Sequence, residues 1–189
     1  MQFSVGDKVV HPHHGPGWIT GVESKDLLGG EKRYYVIEIP TKDLTVYVPW
    51  QKVDQSGVRP AMSQARVSDV LDKLRSTPRR LPEDYKERQE QVWEMLKTGR
   101  VMPIAEVVRD LVWQKERDHL TKRDADLLAQ GQERLAAEMA LISGAEVSDM
   151  ENRIEEVLAD AMTDEADSGQ HHQQLLQTAG LARGHKRKP

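Results

Sequence analysis

The 189-residue sequence predicts an α+β multidomain chain: a small, strongly curved β-barrel followed by an all-α domain of five helices. Three observations predict it. Short alternating runs rich in Val, Ile and Tyr, with Gly and Pro between them, are confined to the first sixty residues. From residue 63 the apolar period becomes helical. Gly57 and Pro60 lie where the two textures meet. The expected division is residues 1–58 for the β domain, 63–162 for the helical domain and 163–189 for a mostly disordered tail.

The first strand is read at Asp7–His11 and the second at Trp18–Glu23. Gly29-Gly30 separates Ser24–Leu27 from Arg33–Ile39, and a Gly-Gly pair between β-rich runs reads as a hairpin turn. Leu44–Val48 alternates cleanly, and Pro49 closes it because proline donates no ladder hydrogen bond. So many short strands in so little chain favour a small barrel.

Val67, Val70, Leu71 and Leu74 make the apolar stripe of the first helix. Pro82-Glu83-Asp84 opens the second, since proline suits a first turn and carboxylates suit its positive end. Its stripe runs through Val92 and Leu96 to Gly99, and Trp93 beside that stripe reads as core. Pro103 opens the third helix, with Ile104, Val107, Val108 and Leu111 inward and Trp113 in interhelical packing. Thr121 three before Asp124 resembles a capping box for the fourth, which ends at Gly144. Val147, Met150, Ile154, Val157 and Leu158 belong to the fifth.

Composition excludes several classes. The chain has no cysteine, so disulfides, thiolate zinc sites and cysteine nucleophiles are absent. It has no apolar run of membrane-spanning length and no signal-peptide pattern at its N-terminus; a monomeric cytoplasmic protein without a membrane partner is expected. Gly15-Pro16-Gly17 lacks the Lys-Ser/Thr of a phosphate loop, and no nucleophile elbow occurs. His11, His13 and His14 are the basis of one alternative, a His-ligated metal-dependent hydrolase. Turn and packing roles are the favoured reading there, and no catalytic residue, metal or cofactor is assigned.

Net charge is −4, yet residues 73–100 carry eight basic against five acidic side chains. Arg79 and Arg80 lie in a Pro-flanked loop, and Tyr85, Lys86 and Arg88 follow at a helix start. A helix N-terminus with cations and an exposed ring holds a phosphate and offers a stacking face to a base. Lys122 and Arg123, at another helix start, join this patch if the fold brings them near.

Several segments resemble the CarD/CdnL family of bacterial transcription regulators. They are Val5–Val10, His13–Gly17, Tyr34–Ile37, Asp43–Val46 with Val48-Pro49, Gly57–Arg59 and, above all, Ile104–Leu111. Their order is colinear over roughly residues 2–162. The resemblance implies a Tudor-like (SH3-like) barrel that binds the β subunit of RNA polymerase. It also implies a helical domain that touches promoter DNA at the edge of the opening bubble, largely without reading sequence, and so stabilises the open complex. Polymerase contacts carried over by it fall on Lys25, Leu27, Val46 and Tyr47. The family's tryptophan wedge falls on Tyr85, with Arg88 retained nearby and Glu87 and Glu90 where basic residues are common. A non-enzymatic regulator is the expectation; the alternative within binding proteins is a docking adaptor that has lost DNA contact.

Overall fold

The computed structural model describes residues 2–26 and 32–183, with side chains through Glu165. Five strands form one antiparallel sheet: β1 (Lys8–His11), β2 (Gly15–Lys25), β3 (Lys32–Ile39), β4 (Leu44–Pro49) and β5 (Arg59–Pro60), in the order β4-β3-β2-β1-β5. β2 serves two neighbours. Gly15–Trp18 pairs with β1, and Trp18–Lys25 pairs with β3, with a bulge between Ile19 and Gly21. A bulge increases local twist and bends the strand, which is how one strand turns from one neighbour to the next. Gly17 lies at this crossing, where a β-carbon would overlap the Glu38 carbonyl of β3. The Gly29-Gly30 turn lies outside the described residues, but the strands it was read to join do pair, ending at Lys25 opposite Lys32.

Alternation along β3 sends Tyr35, Ile37 and Ile39 into a core with Phe3, Val9, Ile19, Val48, Val53 and Val58. The N-terminal segment is tied in from both sides of Phe3. Its amide donates to the Tyr35 hydroxyl at 3.1 Å, and its ring meets the Tyr35 ring edge-on at 5.9 Å.

The helices are α1 (Arg66–Arg75), α2 (Tyr85–Lys97), α3 (Val101–Arg117), α4 (Lys122–Ser143) and α5 (Val147–Arg183). Asp84 caps α2, accepting from the amides of Lys86 and Glu87 at 2.9 and 3.0 Å. Thr121 and Asp124 close a full capping box on α4, which stops at Gly144 in the left-handed conformation (φ 73°). α3 begins at Val101, two residues before the expected Pro103, which sits inside the first turn where no amide donor is needed. Val70, Leu74, Val92, Leu96, Val108, Leu111, Leu127, Leu135, Met139, Ile154 and Val157 fill the second core.

The backbone of α5 is helical through Arg183, into the segment 163–189 for which disorder was expected; residues 184–189 lie outside the described residues. No proline occurs between Val147 and Arg183, and Ala, Gln, Leu and Glu favour helix even where apolar surface is scarce.

Sheet and helices are joined by specific bonds. Lys8 donates to the Leu141 carbonyl at 2.7 Å, a cation on the negative end of α4. Arg59 forks onto both oxygens of the buried Glu138 at 2.8 and 2.7 Å and also donates to the Gly99 carbonyl. Glu138 accepts a further bond from the Met62 amide at 2.9 Å.

Candidate functional site

The N-termini of α2 and α4 lie side by side, and two polar contacts hold them there. Arg88 on α2 donates to Asp124 Oδ2 on α4 at 2.8 Å, and Gln89 Nε2 donates to Thr121 Oγ1 at 2.9 Å. Burial works to raise the Asp124 carboxyl, but hydrogen bonds from Arg88 and Thr121 outweigh it and hold the group below its ordinary value. Arg88 also donates to the Pro82 and Glu83 carbonyls at 3.0 and 3.3 Å.

This arrangement corrects one assignment. Arg88, read as a phosphate contact, is only 4% exposed and its guanidinium is spent inside the protein. The cause is a partner 36 residues away in sequence. Tyr85, by contrast, is 49% exposed, a surface ring. Trp93, read as core, is also a surface ring at 38% exposure, with the Arg123 guanidinium 5.6 Å from its centre. Trp113 is half-buried, with the Arg117 guanidinium 5.5 Å from its ring.

Helical geometry explains how these side chains share a surface. At 100° per residue, Tyr85, Gln89 and Trp93 fall within a stripe about 80° wide. Gln89 and Trp93 both touch the start of α4, so the stripe borders Thr121 and Arg123. Lys86 follows Tyr85, its ammonium 6.0 Å from the ring centre, and Lys122 and Arg123 are exposed. Glu87 and Glu90 sit roughly 140–200° around the helix from Tyr85, off the aromatic stripe.

The loop arginines are placed differently from one another. Arg79 turns to α3, where its side chain pairs with Glu106 and its amide donates to Asp110 at 3.0 Å. Arg80 stays on the surface, in an exposed pair with Glu83 at 2.7 Å that water screens. Two helix starts with exposed rings and the cations Lys86, Lys122 and Arg123 are thus suited to phosphate contact and base stacking at once.

A second surface is the outer edge of β4, which is hydrogen-bonded on one side to β3 and ends the sheet. The Lys25 ammonium lies 3.7 Å from the centre of the Tyr47 ring and 3.0 Å from Glu23. Hydrogen bonds to Tyr47 and Glu23 hold it above its ordinary pKa. Val46 is half-buried and packs against the sheet's own core, so its side chain is largely withdrawn from a partner while its backbone remains at the edge. Leu27 lies outside the described residues.

The three N-terminal histidines form a turn. His11 Nδ1 accepts from the amides of His13 and His14 at 3.2 and 3.3 Å. Burial, then the neighbouring His14 and His13, push His11 down to about 4, leaving it neutral at pH 7. One ring nitrogen of the supposed ligand is therefore occupied, and among the described residues no three His, Asp or Glu side chains converge as a metal site. Nor is any helix among them long and apolar enough to cross a membrane.

Comparison with known proteins agrees with this layout. Residues 3–62 match the family described as CarD-like/TRCF RID domain, and residues 69–155 match CarD, C-terminal domain. A Bacillus subtilis protein whose name gives it as a candidate transcription factor, YdeB, is 32% identical over 144 residues, 75% of this chain and 93% of that protein. With both halves matched in order and a relative aligned across most of its length, the chain belongs to the CarD-like family of transcription regulators.

Proposed function

We propose that residues 1–58 dock on the β subunit of RNA polymerase through the free edge of β4, while residues 63–162 face promoter DNA and stabilise the open complex. The observation that carries the DNA half is the juxtaposition of two helix N-termini with exposed Tyr85 and Trp93 among Lys86, Lys122 and Arg123. Tyr85 inserts at the distorted edge of the bubble, Trp93 stacks beside it, and the cations meet phosphate. Arg88 holds the two helix starts together and touches no DNA.

Tyr85 decides this reading. Tyr85→Ala is expected to leave stability within about 0.5 kcal/mol, as surface changes do, and to shorten open-complex lifetime. Tyr85→Trp is expected to lengthen it, because a larger ring covers more base surface. Promoter-complex decay after a competitor challenge, alongside a denaturant melt, measures both. Unchanged lifetimes for both variants would leave a polymerase-docking adaptor without DNA contact.

The docking half is tested at Tyr47. A free sheet edge is a template for strand addition, and Tyr47 with Lys25 flanks it. Tyr47→Glu is expected to weaken polymerase binding by roughly 1–3 kcal/mol, measured as Kd for the polymerase. An unchanged Kd rules out this edge as the contact.

A further inference from the structure

Tyr85 and Trp93 stand eight residues apart on α2, so their backbone positions are about 12 Å apart along the helix axis. Trp93 keeps 38% of its surface exposed even with the Arg123 guanidinium of α4 beside its ring. The Asp84 cap and the Arg88–Asp124 bond hold α2 against α4, which fixes the spacing of the two rings. Stacked bases in a duplex rise about 3.4 Å per step along each strand. About 12 Å therefore spans three to four steps. One ring at the edge of a duplex needs only one opened step. For both rings to meet base faces, the strand between them must be unpaired.

We propose that Trp93, flanked by Arg123, is a second platform that stacks an unpaired base of a separated strand, a few nucleotides from the step met by Tyr85. The ligand of this platform is single-stranded, not duplex. That the strand belongs to a promoter rests on the DNA-facing reading above, which this deepens; the stacking chemistry does not. Charge complementarity selects a nucleic acid over an apolar protein surface. Arg123, Lys122 and Lys86 are exposed cations at two neighbouring helix starts, whose positive ends add to them. Two carboxylates temper the pull on phosphate. Exposed Glu90 lies about 60° around α2 from Trp93, and exposed Asp126 lies one turn beyond Lys122 on α4. The base contact thus carries a large share of the affinity. It tolerates any base, because every base has a π-face.

The test titrates the full chain with octathymidylate, with an abasic octamer of the same charge and with a blunt mixed-sequence duplex. The indole N–H resonance of Trp93, assigned by its loss in Trp93→Leu, is followed by NMR. Octathymidylate is expected to shift that resonance and to bind at least about fivefold tighter than the abasic octamer. The duplex is expected to leave the resonance in place. Trp93→Leu, with its fold checked by a urea melt, is expected to bind the two octamers equally, and Trp93→Phe is expected to keep part of the preference. The comparison of octamers on the native protein needs no variant, so it decides even where Trp93→Leu melts early. Equal binding of the two octamers, a preference that survives in folded Trp93→Leu, or an equal shift with duplex overturns the proposal. The Tyr85 variants separate the two readings. If Tyr85→Ala and Tyr85→Trp leave open-complex lifetime unchanged while the native preference for octathymidylate holds, the wedge falls and the single-strand platform stands. If both variants change that lifetime as expected while the octamers bind equally, the platform falls and the wedge stands.

Discussion

Arg88→Met is expected to destabilise the protein by about 3–5 kcal/mol, because it strands a buried carboxylate without its cation. Asp124 is fully buried, and its Oδ2 takes bonds from Arg88 at 2.8 Å and from the Thr121 hydroxyl at 2.9 Å. Asp124 Oδ1 has no partner among the described residues, so little remains to replace the lost guanidinium. The pH dependence follows from sign. The folded-state pKa of Asp124 is depressed, so its contribution is present above the ordinary carboxylate range near pH 4 and is lost as pH falls through the lower folded value. In Arg88→Met the same carboxyl keeps only the Thr121 hydroxyl and amide against its desolvation, so its depression is reduced. The deficit relative to the native protein is therefore expected to be largest at neutral pH and to shrink toward pH 3. Urea melts of both proteins at pH 7, 5 and 3 measure it. A phosphate-binding arginine on the surface would behave oppositely, with DNA binding reduced and the melt unchanged.

That contrast shows what the sequence carried and what it did not. Signals between neighbouring residues were legible: a helix opening at Pro82-Glu83-Asp84, although the helix itself begins at Tyr85 with Asp84 as its cap, Thr121 with Asp124, Gly144 at a helix end, and the alternation of β4. Each is a local hydrogen bond or a local period, written in neighbouring residues. The sheet's fifth strand was not legible, since Arg59–Pro60 has too few residues to show a period and contains a proline tolerated only at the edge. Arg88 shows the same limit at the site. A cation at a helix start reads as surface until a carboxylate from a distant helix is seen against it. Trp93 fails for a subtler reason. It lies next to Val92, and one residue is a 100° turn, enough to separate a fully buried valine from a surface indole. Position along a stripe marked the core residues well, but the width of the stripe is decided by the neighbouring helix, here the start of α4. The resemblance carried Tyr85 to its exposed position, where periodicity alone would equally have buried it.

Arg59→Met is expected to cost about 3–5 kcal/mol and to loosen the helices from the sheet. Arg59 is the one side chain among those described that bonds β5, the turn at Gly99 and α4 together. Its partner Glu138 is 2% exposed and accepts from Met62, the residue leading out of the sheet. Without Arg59 the Glu138 carboxylate keeps one amide donor in a desolvated site, which leaves a buried charge without its cation. Glu138→Gln in the Arg59→Met background removes the charge and can still accept from the Met62 amide, so it is expected to restore much of the loss at pH 7. Failure of that rescue would show that Arg59 acts through Gly99 rather than through Glu138. The functional consequence separates from stability. The β4 edge lies on the sheet and the Tyr85–Trp93 stripe on the helices, so a protein gripping polymerase with one and DNA with the other needs a fixed relation between them. The rescued double variant should melt close to the native protein. Lacking the fork onto Glu138 and the bonds to Gly99, it should nonetheless hold the open complex for less time, while binding polymerase and forked DNA separately with native affinity. Native open-complex lifetime in that variant would mean that the two surfaces act independently and that the Arg59–Glu138 pair serves stability alone.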